Sequence, residues 1–222
     1  MAYIDFMSAM HKSTPRDYLA RVNDPEFPKA RAAELAKQWG YHYWDGDRRI
    51  NYGGYRYIEG RWEKVARAMV EHYGLKPGDR ILDVGCGKGF LLYDFTKVLP
   101  GIEVQGIDVS EYAIERAKEE IKDRLRVGSA VSLPYPDKSF DLVISINTLH
   151  TLHNYDLDKA LREIERVGRK KYLCVESYRS EAEKVNLLYW QVTCEAFCTP
   201  DEWAWWFTQT GYTGDHSFIY FE

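Results

Sequence analysis

From Arg80 onward, short apolar runs alternate with longer stretches in which apolar residues return every three or four positions. Ile81-Leu82-Asp83-Val84 predicts a strand. A glycine-rich loop follows, and a helical period then holds to about Val98. Val104 to Ile107 predicts a second strand. Ser110 is a hydroxyl N-cap for a helix carrying Ala113, Ile114, Ala117 and Ile121, and a short third strand is expected near Leu125 to Val127. Phe140 to Ile146 (FDLVISI) is the clearest buried strand of the chain. Leu157, Ala160, Leu161, Ile164 and Val167 form one helix face that Gly168 closes, and Lys171 to Glu176 is a fifth strand. Strands alternating with helices of this length predict an α/β fold, a doubly wound, mostly parallel sheet covered on both faces.

The flanks are less regular. Thr14-Pro15 reads as a helix start, with Leu19 and Val22 as its apolar face. Ala32, Leu35, Ala36 and Trp39 mark a second helix that Gly40 would close. Residues 41–60 mix four glycines with aromatics and read as an ordered loop. Trp62, Val65, Ala66, Met69, Val70 and Tyr73 then recur at helical spacing up to Gly74. Near the other end, Thr199-Pro200-Asp201-Glu202 is a capping box opening a helix to Gly211, and Ser217 to Phe221 is a closing strand. The expected division is a helical and aromatic lid segment over 1–59 and a core domain over 60–222.

Composition narrows the function. Lys and Arg number 30 against 34 Asp and Glu, a net charge of −4, so the chain has no basic excess with which to hold a nucleic acid. No apolar run approaches the roughly 18 residues a membrane helix needs, and the first twenty residues lack an apolar signal core. Four scattered cysteines make no disulfide framework. A cytoplasmic enzyme is the expectation, with no membrane and no nucleic-acid partner; nothing in the pattern specifies an oligomeric state. Aromatics reach 15% and cluster in Tyr41 to Trp62 and Tyr189 to Phe221, on either side of the α/β core.

The loop after the first strand is Asp83-Val84-Gly85-Cys86-Gly87-Lys88-Gly89. A dinucleotide fingerprint needs a third glycine where Phe90 stands, and the Gly-Lys-Ser/Thr of a P-loop is absent. Asp83 would repel a pyrophosphate and welcome an ammonium group. Asp108, at the tip of the second strand, can accept hydrogen bonds from both hydroxyls of a ribose. One acid for an amine and another for a ribose, with no provision for phosphate, match S-adenosylmethionine.

ILDVGCGKG, GIDVS, and SLPYPDKSFDLVISINTLHTL with ALREIERV resemble the motifs of class I S-adenosylmethionine-dependent methyltransferases, over roughly residues 60–178. The resemblance implies a seven-stranded Rossmann-like sheet with an antiparallel last strand and the cofactor over the strand carboxyl ends. It implies that Asp83 and Gly85 face the methionine portion, Asp108 the ribose, Ser129 and Ala130 the adenine, that Asn147 lies near the methionine and the transferring methyl, and that Cys86, Gly87 and Val109 are further cofactor-binding positions. Ser129 stands where the family often has an acid, and Gly168-Arg169-Lys170-Lys171 replaces a glycine-rich turn. Little chain remains after Phe221 for two final strands, so one is expected to be missing or supplied by Trp190 to Phe197.

A sulfonium methyl is already activated, so the remaining work is aligning an acceptor, excluding water and moving a proton. His150 and His153 follow the fourth strand, and either could orient or deprotonate the acceptor; a hydrogen-bonded turn histidine is the alternative for each. The pair lacks a third metal ligand, so no metal is expected. Glu176 and Tyr178, closing the fifth strand, are further catalytic candidates. In the lid, Tyr52, Tyr55 and Arg56 are candidates to close over the cofactor, with Arg56 meeting its carboxylate and Arg61 as a competitor. Trp203, Trp206 and Phe207 read as core, and Lys88 as a solvated helix-start residue. Asn147-Thr148-Leu149-His150 departs from the Asn/Asp-Pro-Pro-Tyr/Phe of base and glutamine methyltransferases. The expected acceptor is an N or O atom of a small polar metabolite. The alternatives are a sugar or nucleotide-sugar and a catalytically silent cofactor-binding partner protein.

Overall fold

Apolar residues on successive positions of Ile81 to Val84, Leu142 to Ile144 and Tyr172 to Val175 are buried on both faces of the chain, which only the inner strands of a covered sheet permit. The computed structural model describes residues 1–10, 16–50 and 55–222. Helices α1 (Tyr18–Val22), α2 (Lys29–Ala36), α3 (Tyr41–Trp44) and α4 (Glu63–Tyr73) precede β1 (Arg80–Val84). Then come α5 (Phe90–Val98), β2 (Glu103–Asp108), α6 (Glu111–Glu115), β3 (Leu125–Val127), β4 (Phe140–Ile146) and α7 (Asn154–Val167). The chain continues through β5 (Gly168–Glu176), α8 (Glu181–Trp190), α9 (Pro200–Thr210) and β6 (Asp215–Ile219).

The sheet has six strands in the order β3-β2-β1-β4-β5-β6, every neighbouring pair parallel. Strand order reverses between β1 and β4, and in such sheets a crevice opens beyond the carboxyl ends at the reversal. Side chains alternate across the sheet. Ile81, Leu142, Ile144 and Tyr172 meet α4 and α5 on one face, while Leu82, Val84, Val143 and Leu173 meet α7 and α9 on the other. Phe6 and Met7 join the first of these cores, and Tyr3 bridges to His216 beside β6. On the second face Trp203 is fully buried and its Nε1–H donates to the Glu176 carbonyl at 3.1 Å, tying the end of β5 to α9. Truncating so large a buried ring would cost about 3–5 kcal/mol.

The sheet departs from expectation at its end. The last strand runs parallel to β5, and among the described residues there is no antiparallel strand; Trp190 to Phe197 supplies none. Residues 177–214, with α8 and α9, form a crossover long enough to bring the chain back in the same direction. Gly168 closes α7 as the sequence predicts, its N–H donating to the Ile164 carbonyl, and in the same extended conformation it opens β5. Thr14-Pro15 lies outside the described residues, and α1 is capped by Asp17, whose side chain accepts from the Ala20 N–H. Helix α2 ends before Trp39, which sits at φ 53°, and part of the presumed 41–60 loop is the short helix α3. The capping box of α9 forms as the sequence predicts.

Candidate active site

The carboxyl ends of the strands line one cavity of about 600 Å³. In sheet order they supply Ser129 just after β3, Asp108 on β2, Asp83 on β1, Asn147 just after β4, Glu176 on β5 and Ile219 on β6. Gly85, Cys86, Gly87, Val109 and Ala130 also line it.

Two glycines of the loop are fixed by close approach. Gly85 has φ 84°, and a Cβ there would lie 2.0 Å from Thr148 Oγ1. Gly87 has φ 52°, and its Cβ would lie 2.6 Å from the Trp44 ring. Neither position accommodates a side chain without moving a wall of the cavity. Asp83 is buried, and among the described residues it accepts no hydrogen bond. Burial first, and then the neighbouring Asp108 charge, push its carboxyl up to about 8. Asp108 is also raised by burial, but backbone N–H groups of Ser110 and Gly87 donate to its two oxygens at 2.8 Å each and offset part of the rise. The two acids thus differ in kind: Asp108 is held in place by the backbone, whereas Asp83 awaits a donor.

An aromatic wall covers the loop. Trp44 donates from Nε1 to Ser110 Oγ at 2.8 Å, and its ring meets Tyr43 and Tyr55 edge-on at 5.0 and 4.8 Å. Lys88 is the fastener. It is buried, not solvated as the sequence reading has it; its Nζ pairs with Asp45 Oδ1 at 2.6 Å and donates to the Tyr55 carbonyl at 3.2 Å. Asp45 also accepts from the Tyr112 hydroxyl at 2.9 Å. Tyr55 and Arg61 line the cavity, and Arg56 does not. Tyr52 lies outside the described residues.

At the far end the four catalytic candidates separate. His150 and Glu176 are both buried and both line the cavity. The Glu176 N–H donates to His150 Nδ1 at 3.4 Å, which leaves the ring proton on Nε2, 3.4 Å from Glu176 Oε2. That last contact has ion-pair distance but not hydrogen-bond geometry, so Oε2 stays without a donor, while Oε1 accepts from Gln191. Desolvation lowers His150 to about 3 and raises Glu176 to about 8. His153 caps α7 on the surface, more than half exposed, 3.8 Å from Glu195 and stacked on Tyr155. Tyr178 is buried away from the cavity with Lys184 over its ring. Neither His153 nor Tyr178 lines the cavity. Asn147 lines the cavity and sits at φ 56°, a left-handed conformation that asparagine adopts more readily than most side-chain-bearing residues.

The methyltransferase-domain family matches residues 75–211. The demethylmenaquinone methyltransferase of Symbiobacterium thermophilum is 33% identical over 145 residues, covering 60% of this chain and 57% of that protein. The 27-O-demethylrifamycin SV methyltransferase of Amycolatopsis mediterranei is 32% identical over 149 residues, covering 62% and 51%. The YcgJ protein of Bacillus subtilis superposes with a TM-score of 0.55 at 25% identity, over 65% of this chain and 66% of that one. This chain belongs to the class I S-adenosylmethionine-dependent methyltransferases. It spans about half the length of the curated relatives it matches.

This member of the family carries residues in or behind the cavity wall whose placement the sequence does not reveal. Lys88 and Asp45 lie forty-three positions apart, and only the folded lid brings them together. Gln191 reaches Glu176 from the end of α8, a helix absent from the sequence reading. Arg16 lines the cavity from the segment before α1. A cation inside an aromatic flank is a sequence signal for such a residue, and it points to Arg56 and Arg61 as readily as to Arg16.

Proposed function

We propose that this chain transfers the methyl group of S-adenosylmethionine to an N or O atom of a small polar acceptor. The observation that carries the reading is one half-open cavity with, among the described residues, a donor-starved buried acid toward each end, Asp83 over β1 and Glu176 over β5. The residues fit the cofactor. Asp83 would take its ammonium, Arg61 its carboxylate, Asp108 the ribose hydroxyls, and Ser129 with Ala130 the adenine. Bound there, the cofactor supplies a methyl group on a positively charged sulfur, beside Asn147.

Everything else falls to the protein. The aromatic wall excludes water, and the β4 and β5 ends orient the acceptor. Glu176, raised to about 8, is the better proton acceptor; His150, lowered to about 3, stays neutral and holds the Glu176 backbone. The relatives are named for acceptors as different as demethylmenaquinone and a demethylrifamycin, so they support the cofactor half of the reading and leave the acceptor half to this chain's own residues. Calorimetric titration with S-adenosylhomocysteine tests the cofactor half. Asp108→Ala should weaken binding by about 1.5–3 kcal/mol, and an unchanged affinity in a folded variant would remove Asp108 from the site.

A further inference from the structure

Beyond Asn147 the cavity holds an acid, Glu176, and a guanidinium, Arg16, both short of partners among the described residues. Glu176 Oε2 is buried without a donor. The Arg16 guanidinium lies over the Trp190 ring at 5.1 Å and the Phe221 ring at 5.0 Å, and makes no ion pair among the described residues. It is close enough to favour the ionised form of Glu176 but does not bond to it. Apolar groups, Ile219, Met7 and Met10, line the same end.

Arg16 is poorly placed for the cofactor carboxylate. Three strand spacings, about 14 Å, separate β1 with Asp83 from β6, whose end carries Phe221 beneath Arg16. Arg61 is on the correct side: the adjoining Trp62 N–H donates to Asp94 of α5, the helix that starts from the glycine loop.

We propose that the acceptor is a small amine that also carries an anionic group, the amine meeting Glu176 and the anion meeting Arg16. This rests on the methyl-transfer reading above. Either charge alone would leave the other group desolvated and unpaired, a cost that discriminates against monofunctional acceptors. A guanidinium lying over two rings can offer its fork to a carboxylate or a phosphate alike. The acceptor arrives as an ammonium and gives one proton to the Glu176 carboxylate. Its freed lone pair forms the N–CH3 bond as the S–CH3 bond breaks, and the positive charge passes from sulfur to nitrogen. S-adenosylhomocysteine and an N-methylammonium remain, and the proton on Glu176 goes to solvent as the product leaves. The ionisable groups around Glu176 are His150, Arg16, Tyr43, Cys174 and Cys194; His150 is neutral above pH 3, and the phenol and both thiols are raised. Turnover therefore rises with pH through about 8 as Glu176 ionises.

The test measures S-adenosylhomocysteine release from matched probes. Phenylalanine, β-alanine and phosphoethanolamine carry both groups; phenethylamine carries only the amine and phenylpropionate only the anion. At least one two-charge probe should turn over with kcat/KM tenfold or more above phenethylamine, and the carboxylate and phosphate arms identify the anion. Arg16→Gln should raise KM and shrink that ratio at least tenfold, with partial rescue by Arg16→Lys. Glu176→Gln should lower kcat and abolish the rise toward pH 8. The proposal is overturned if phenethylamine or a phenol is the better substrate. It is equally overturned if no two-charge probe turns over in protein that binds S-adenosylhomocysteine. Protein that fails to bind S-adenosylhomocysteine overturns the methyl-transfer reading instead.

Discussion

Replacing Asp83 by Asn should move stability and ligand affinity in opposite directions. The carboxyl is buried without a hydrogen bond and sits at about 8, against 3.8 in the absence of the fold. Between those values the folded chain keeps a proton that the unfolded chain has released. Stability therefore falls as pH rises across that window, by up to ~1.4 kcal/mol per pH unit. At pH 7 the accumulated penalty has a ceiling of ~4 kcal/mol, and water reaching into the cavity brings it nearer ~2 kcal/mol. Asn does not titrate. Ligand-free Asp83→Asn should match the wild type near pH 4 and exceed it at pH 7, by ~4–8 °C in Tm for a chain of this length. Its affinity for S-adenosylhomocysteine should fall by about 1.5–3 kcal/mol, the usual worth of a hydrogen bond to a charged group. In the wild type, binding an ammonium draws the proton off Asp83. Affinity should rise with pH to about 8, and calorimetry at pH 7 in two buffers of different ionisation heat should register a released proton, absent in the variant. A ligand-free variant no more stable than the wild type at pH 7, or one of unchanged affinity, would refute the reasoning.

Two other outcomes follow from the same contacts. Lys88→Met removes a buried charge together with its need for Asp45, so the fold should persist while the lid loses its fastener; S-adenosylhomocysteine should bind about tenfold more weakly, and its protection of residues 41–62 from protease should diminish. His153→Ala, at a surface position, should leave kcat within about twofold, whereas His150→Ala should lower kcat without shifting its pH profile, because a ring at about 3 is neutral across the assay range; a shifted profile would make His150 the titrating group.

What could be read in the sequence was what is local. FDLVISI announces itself because a strand buried on both faces must be apolar at every position the sheet covers. The capping box at Thr199 needs only four consecutive residues. The direction of the last strand is different: DHSFI has the same alternation whether it runs parallel or antiparallel, and only the length of the crossover before it decides. Helix α8 escaped notice because it buries little more than Glu183 and Leu187, so its sequence shows no clear apolar stripe.

The site divides along the same line. Asp83 and Asp108 stand at strand tips followed by glycines or a cap, so their place over the sheet is written within a few residues of each. The acceptor end is assembled from β4, β5, the end of α8 and the segment before α1, and no short window contains it. His150 and His153 show the limit most plainly. Three positions apart, they would share a face of a continuous helix. A single 3-10 turn, Leu149–Thr151, separates them instead: it sends His150 inward against Glu176 and leaves His153 as an exposed cap. Spacing alone could not rank them, because the deciding quantity was the water each one loses on folding. That quantity is also what turns Glu176 from a strand-end carboxylate into a group that can take a proton near neutral pH.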